Sequence, residues 1–152
     1  MKIYALVLGI LAMAFLGRVA GQVLVVTYSP PYLPPMDEWY SGLLPYWLLL
    51  PIQLGILLFQ FEVSRQLWTG SGTLTRRRPT IGTGLKWFAL VYFLTMFTRY
   101  VVSMIVFPER RWFGGSIPIF FHWVLALYVY LLSRYYRGLP IGVRGANTEN
   151  HE

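Results

Sequence analysis

Four stretches of mostly apolar residues constrain this chain more than any other feature, because a run of roughly 20 such residues is what an α-helix needs to cross a bilayer. They lie at 3–28, 43–63, 85–107 and 117–133. A segment in hydrocarbon must satisfy its own backbone hydrogen bonds, so each run is predicted to be helical. In a chain of 152 residues, little is left for a domain outside the membrane. The expected fold class is therefore all-α: one integral membrane domain over 1–152, built as a four-helix transmembrane bundle with a cytoplasmic tail at 134–152. The charged fraction of 12% points the same way, since soluble proteins carry about 25%.

The basic residues orient the spans. The formal net charge is +7, with thirteen Lys and Arg. Nine of them flank helix ends on one side: Lys2, Arg65, Arg76, Arg77, Arg78, Lys86, Arg134, Arg137 and Arg144. Arg110 and Arg111 lie on the other side, and Arg18 and Arg99 lie within spans. An excess of Lys and Arg marks cytoplasmic loops, so both termini and the 64–84 loop are expected in the cytoplasm of a multi-pass protein of the cell membrane. The run Arg76, Arg77, Arg78 reads as a topology anchor on anionic lipid, and nucleic acid is not an expected partner. Lys2, the apolar run after it and Val19, Ala20, Gly21 resemble a signal peptide with a cleavage site. Apolar residues resume at once from Val23 to Val26, so the segment is expected to remain as the first span. With no cysteine, disulfides, thiolate metal sites and cysteine nucleophiles do not arise.

An internal repeat lies in the two outer connections. Pro35, Trp39, Tyr40, Gly42, Leu44 and Pro45 match Pro108, Trp112, Phe113, Gly115, Ile117 and Pro118 without a gap. Proline is tolerated at the start of a helix, glycine permits a tight turn, and tryptophan suits the membrane interface. Convergence of two interfacial loops on the same physics accounts for the match; so does duplication of a helical hairpin. Duplication predicts two tandem hairpins related by a pseudo-twofold axis along the membrane normal, with the Pro-rich stretch 29–35 as an insertion. The repeat aligns Asp37 and Glu38 with Arg110 and Arg111, and a salt link between the two outer loops is expected from the opposite charges.

Polar groups inside the spans form the candidate site. Counting about 1.5 Å per residue from the span midpoints puts Arg18, Gln53, Arg99 and His122 in one layer near or slightly outward of the centre. Gln22 lies one turn from Arg18. Tyr92, Thr95, Arg99 and Ser103 form one stripe on the third helix, and Gln53 and Gln60 share a face of the second. Gly17 and Gly21 form a Gly-xxx-Gly pair that admits a close helix neighbour. Pro51 frees the carbonyl of Trp47 as a further acceptor. An arginine at the bilayer centre costs on the order of 2.5–3.5 kcal/mol on insertion scales, so two at one depth need a reason. The only acid within a span, Glu62, sits near the cytoplasmic end.

Two readings follow. In one, Arg18 and Arg99 bond to carbonyls, Gln53 and tyrosine hydroxyls and hold the bundle together. In the other, Arg18, Gln22, Gln53, Arg99 and His122 line a cavity open to the outer leaflet and clamp an anionic or carbonyl oxygen, as paired guanidinium groups do well. A lipid, a quinone or a pigment would suit such a site, though no residue requires one. His122 stands without a second histidine in any span, which argues against paired axial ligation of a haem. Nucleotide-binding loops, paired catalytic carboxylates and His-rich metal motifs are absent from the sequence. The expected function is thus non-enzymatic: an accessory subunit of a membrane complex or homo-oligomer, or a binder of a lipophilic ligand. The alternative is a membrane enzyme or carrier acting on a quinone-like or lipid substrate at the Arg/His layer.

Overall fold

The computed structural model describes residues 1–39, 44–106 and 117–141. All its regular structure is helical: α1 (Lys2–Tyr28), α2 (Met36–Trp39), α3 (Tyr46–Thr69), a 3-10 turn (Thr73–Thr75), α4 (Pro79–Val106) and α5 (Ile117–Tyr136). α1, α3, α4 and α5 are long and apolar enough to cross a membrane. The chain is a multi-pass helical bundle.

The helices outrun the apolar stretches at one end. α3 continues past Val63 to Thr69, and α4 begins at Pro79 rather than Leu85. Hydropathy reports where hydrocarbon ends; a helix ends only where its backbone or caps stop it. Within α3 the extension is held by side chains one turn apart. Glu62 accepts from Arg65 Nη2 at 2.6 Å and Nε at 2.8 Å, and from Gln66 Nε2 at 2.7 Å. Gly70 then ends the helix in the left-handed conformation (φ 72°), its N–H donating to the Gln66 carbonyl at 2.9 Å. Pro79 starts α4 at a position where its missing N–H costs nothing.

α1 and α3 pack along a heptad-like seam. The buried positions of α1 include Leu8, Ala12, Phe15, Val19 and Gln22; those of α3 are Gln53, Leu57, Gln60, Val63 and Leu67. Steps of three and four keep one face toward an antiparallel neighbour. Gln53 Nε2 donates to Gln22 Oε1 at 3.1 Å across this seam, which fixes its register. One apolar cluster gathers Tyr4, Leu8, Val63, Leu67, Tyr128 and Leu132 near the end that carries Lys2 and the arginine loop, called here the basic end. A second, of Phe15, Val19 and Leu57, lies deeper.

By backbone proximity the order of packing is α3–α1–α5–α4: α1 lies against α3 and α5, α5 lies against α1 and α4, and the backbones of α3 and α4 stand apart, while α5 reaches α3 through side chains such as Tyr128 and Leu132. The α1–α5 contact therefore has no counterpart between α4 and α3, the pair that a twofold relation of the hairpins would make equivalent. The connection from α3 to α4 runs past the end of α5. It is held there by Tyr135, whose hydroxyl donates to the Thr75 carbonyl at 2.7 Å, and by Gln66 Oε1, which accepts from the Leu74 N–H at 2.9 Å.

α4 is the least covered helix, with only Gly82 and Ala89 buried. These small residues, seven apart, let it lie close to α5; a Cβ on Gly82 would meet the Ser133 carbonyl oxygen at 2.9 Å. Toward the other end the contact becomes aromatic. Phe93 and Tyr100 pack on Trp123 with ring centroids 5.9 and 5.5 Å apart.

Candidate functional site

The structure brings part of the polar layer together and divides it into two groups. Gln22 and Gln53 form the buried pair in the α1–α3 seam, 0% and 3% exposed. Arg18, one turn away on α1, is also buried. Its Nη2 donates to the Trp39 carbonyl at 3.3 Å, and its guanidinium stands 5.7 Å from the Phe121 ring centroid. On the other side, the Tyr92 hydroxyl and His122 Nδ1 form a hydrogen bond of 2.5 Å between α4 and α5. Both Arg18 and Arg99 lie within electrostatic range of His122. Arg99 itself is half-buried on α4.

Trp39 explains much of this arrangement. Its indole lies across Gly21, where a Cβ would come within 2.7 Å of the ring, and its Nε1 donates to the Pro34 carbonyl at 3.0 Å. The short helix α2 thereby folds over the ends of α1 and α5. Gly21 accommodates an indole rather than a neighbouring helix, and a Cβ on Gly17 would meet nothing within 4 Å. The Gly-xxx-Gly expectation is corrected accordingly. So is that for Pro51: Pro51 and Trp47 occupy exposed positions of α3, with Trp47 74% exposed, so the carbonyl that the proline frees is turned away from the layer. Thr95 also leaves the stripe, its hydroxyl donating to the Val91 carbonyl of its own helix at 2.9 Å. The side chains of Asp37 and Glu38, and all of Arg110 and Arg111, lie outside the described residues, as does the second Pro–Trp–Gly block.

A sizeable groove lies elsewhere. Because α3 and α4 stand apart, a groove of about 780 Å³ opens between them, with α5 as its floor. Small-molecule sites commonly span roughly 300–1,000 Å³. Ile52, Ile56 and Phe59 form one wall, Leu85 and Phe88 the other, and Leu125, Tyr128 and Leu132 the floor; Arg78 stands at the basic end. Neither Arg18 nor Arg99 lines it.

Its polar residues differ in how far they are satisfied. The Tyr128 hydroxyl donates across the floor to the Gln60 carbonyl at 3.1 Å, which also accepts from Ser64 at 2.9 Å. The Gln60 side chain is 1% exposed, yet neither its Nε2 nor its Oε1 has a hydrogen-bond partner. A buried amide left unpaired costs about 1–3 kcal/mol. Sequence reasoning noted Gln60 only as sharing a face with Gln53. It missed the groove, because no pattern within one helix reports that two consecutive helices stay apart. Among the described residues no three potential metal ligands come together. Comparison with protein-family models, curated proteins and solved structures finds no match to this chain.

Proposed function

We propose that this protein is a non-catalytic membrane protein that takes a lipophilic molecule from the bilayer into the groove between α3 and α4. The observation that carries the reading is the groove itself, about 780 Å³ and walled by aliphatic and aromatic side chains with Arg78 at its basic end. Aliphatic and aromatic walls suit a hydrocarbon tail. The groove faces the bilayer sideways, so such a molecule need not pass through water. The Arg18 layer fits the other role weighed for it: Arg18 ties the outer segment to α1 through the Trp39 carbonyl. On this reading both termini and the arginine loop face the cytoplasm, and the two hairpins descend from one duplicated unit.

The test is native mass spectrometry of gently solubilised protein together with a variant that fills the groove. Gly55 lines the groove, and a Cβ there meets nothing within 4 Å. Gly55→Trp therefore starts from open space on the groove wall. The wild-type chain is expected to carry one lipophile per protein, and Gly55→Trp is expected to lose it while keeping its helical signal. Retention of the same lipophile by Gly55→Trp would sink the proposal.

A second reading, an accessory subunit, draws on α4. Its outer face presents Trp87, Val91 and Leu94, all at least 59% exposed, a surface fit for another helix as much as for lipid. Stoichiometric partners in the same spectra would favour it.

A further inference from the structure

We infer that the groove's ligand is an anionic amphiphile, seated with its head group at Arg78 and its hydrocarbon along the apolar walls; this rests on the groove reading above. Two observations set the orientation.

The first is charge. Arg78 lines the groove at its basic end, on the exposed loop just before α4. Among the described residues one ion pair is present, Arg65 with Glu62. That glutamate already accepts from Arg65 and Gln66, so it is not available to Arg78. Arg76, Arg77, Lys86 and Arg137 add positive charge to the same end without a carboxylate among the described residues to balance it. A guanidinium at the mouth of an apolar groove fits a phosphate or carboxylate.

The second is the apolar wall: Ile52, Ile56, Phe88 and Leu125 continue the groove from Arg78 toward the middle of the bundle, where a hydrocarbon chain belongs. The arrangement assigns a direction, head toward the basic end. That is opposite to an anion held at Arg18 and Arg99 near the outer half.

The shared chemistry, an acyl chain on an anion, belongs both to acidic phospholipids of the surrounding leaflet and to free fatty acids. The test is competition in detergent micelles, read by native mass spectrometry, with dioleoyl phosphatidylglycerol, dioleoyl phosphatidylcholine, oleate and inorganic phosphate as probes. Wild-type protein is expected to retain phosphatidylglycerol over phosphatidylcholine by about tenfold, in line with one charge-assisted hydrogen bond. Arg78→Gln is expected to abolish that preference. Arg76→Gln, on the same loop but not lining the groove, is expected to leave it unchanged. Displacement of phosphatidylglycerol by oleate identifies the site as one for single-chain acids too; failure of oleate restricts it to phospholipid.

Equal loss of preference in Arg76→Gln and Arg78→Gln would reduce the effect to diffuse surface attraction and overturn the inference, as would displacement of the lipid by phosphate. If Gly55→Trp empties the groove but Arg78→Gln keeps the preference, the groove reading stands and the head-group assignment fails. If Gly55→Trp retains the probe, both fail.

Discussion

A Cβ on Gly21 would stand 2.7 Å from the Trp39 ring, whereas one on Gly17 would meet nothing within 4 Å. Two glycines a turn apart on one helix thus have opposite expectations. Gly21→Ala must push the indole away and pull the Trp39 carbonyl from Arg18, with a cost of about 1–3 kcal/mol, typical of overpacking. Gly17→Ala gains helix propensity, by up to about 1 kcal/mol. Thermal unfolding in detergent checks the pair; if Gly17→Ala is the more damaging, a helix interface lies there after all. Counting residues along each span sets Arg18, Gln53 and His122 at one expected level, because helical rise is uniform, but it names none of their partners. Tyr92 sat in the stripe already recognised on α4, but its pairing with His122 depends on how α4 and α5 are rotated against each other, which no single-helix pattern encodes.

At the scale of elements, the α1–α3 seam carries its own identification tag. Leu8, Phe15, Val19, Leu57, Val63 and Leu67 would slide past one another at little cost, whereas the Gln22–Gln53 hydrogen bond forms in one register. Interhelical hydrogen bonds in membranes are worth about 0.6 kcal/mol on average. A double-mutant cycle of Gln22→Leu and Gln53→Leu should return a coupling near that value in detergent unfolding. The double variant should be no less stable than either single one, since replacing both partners leaves no amide unpaired. A coupling of zero would show that the pair is adjacent but not bonded in the protein. The helices themselves were legible as apolar runs, but α3 and α4 run beyond them, because Glu62, Arg65 and Gln66 bond to one another instead of ending the helix. Polar residues that satisfy each other along one face are invisible to hydropathy.

For the molecule as a whole, the expected orientation follows from nine basic residues on one side and two on the other. Ser71 is exposed at the basic end and Tyr32, 83% exposed, lies at the opposite end. The chain has no cysteine, so Ser71→Cys and Tyr32→Cys each introduce a unique label. In intact cells an impermeant maleimide should reach Cys at 32 and not at 71. The reverse pattern would invert the protein, and labelling of both would undo the assignment of spans. The class of fold was legible at this scale because a bilayer admits few solutions. The arrangement of the hairpins was not, since repeat and charge patterns say which segments resemble one another and which side they face, not which of them touch.

The open seam between α3 and α4 also bears on how the chain is made. Helices enter the bilayer in the order of synthesis and associate afterwards. α1 and α3 can pack as soon as both are inserted. α4, by contrast, leaves the ribosome before α5, the one long helix whose backbone it approaches among the described residues. Until then it must persist in lipid on hydrophobicity alone, which its run of aromatic and aliphatic side chains supplies. α5 then closes onto α1 and gathers α4 in the same step, so its arrival joins the second hairpin to the first.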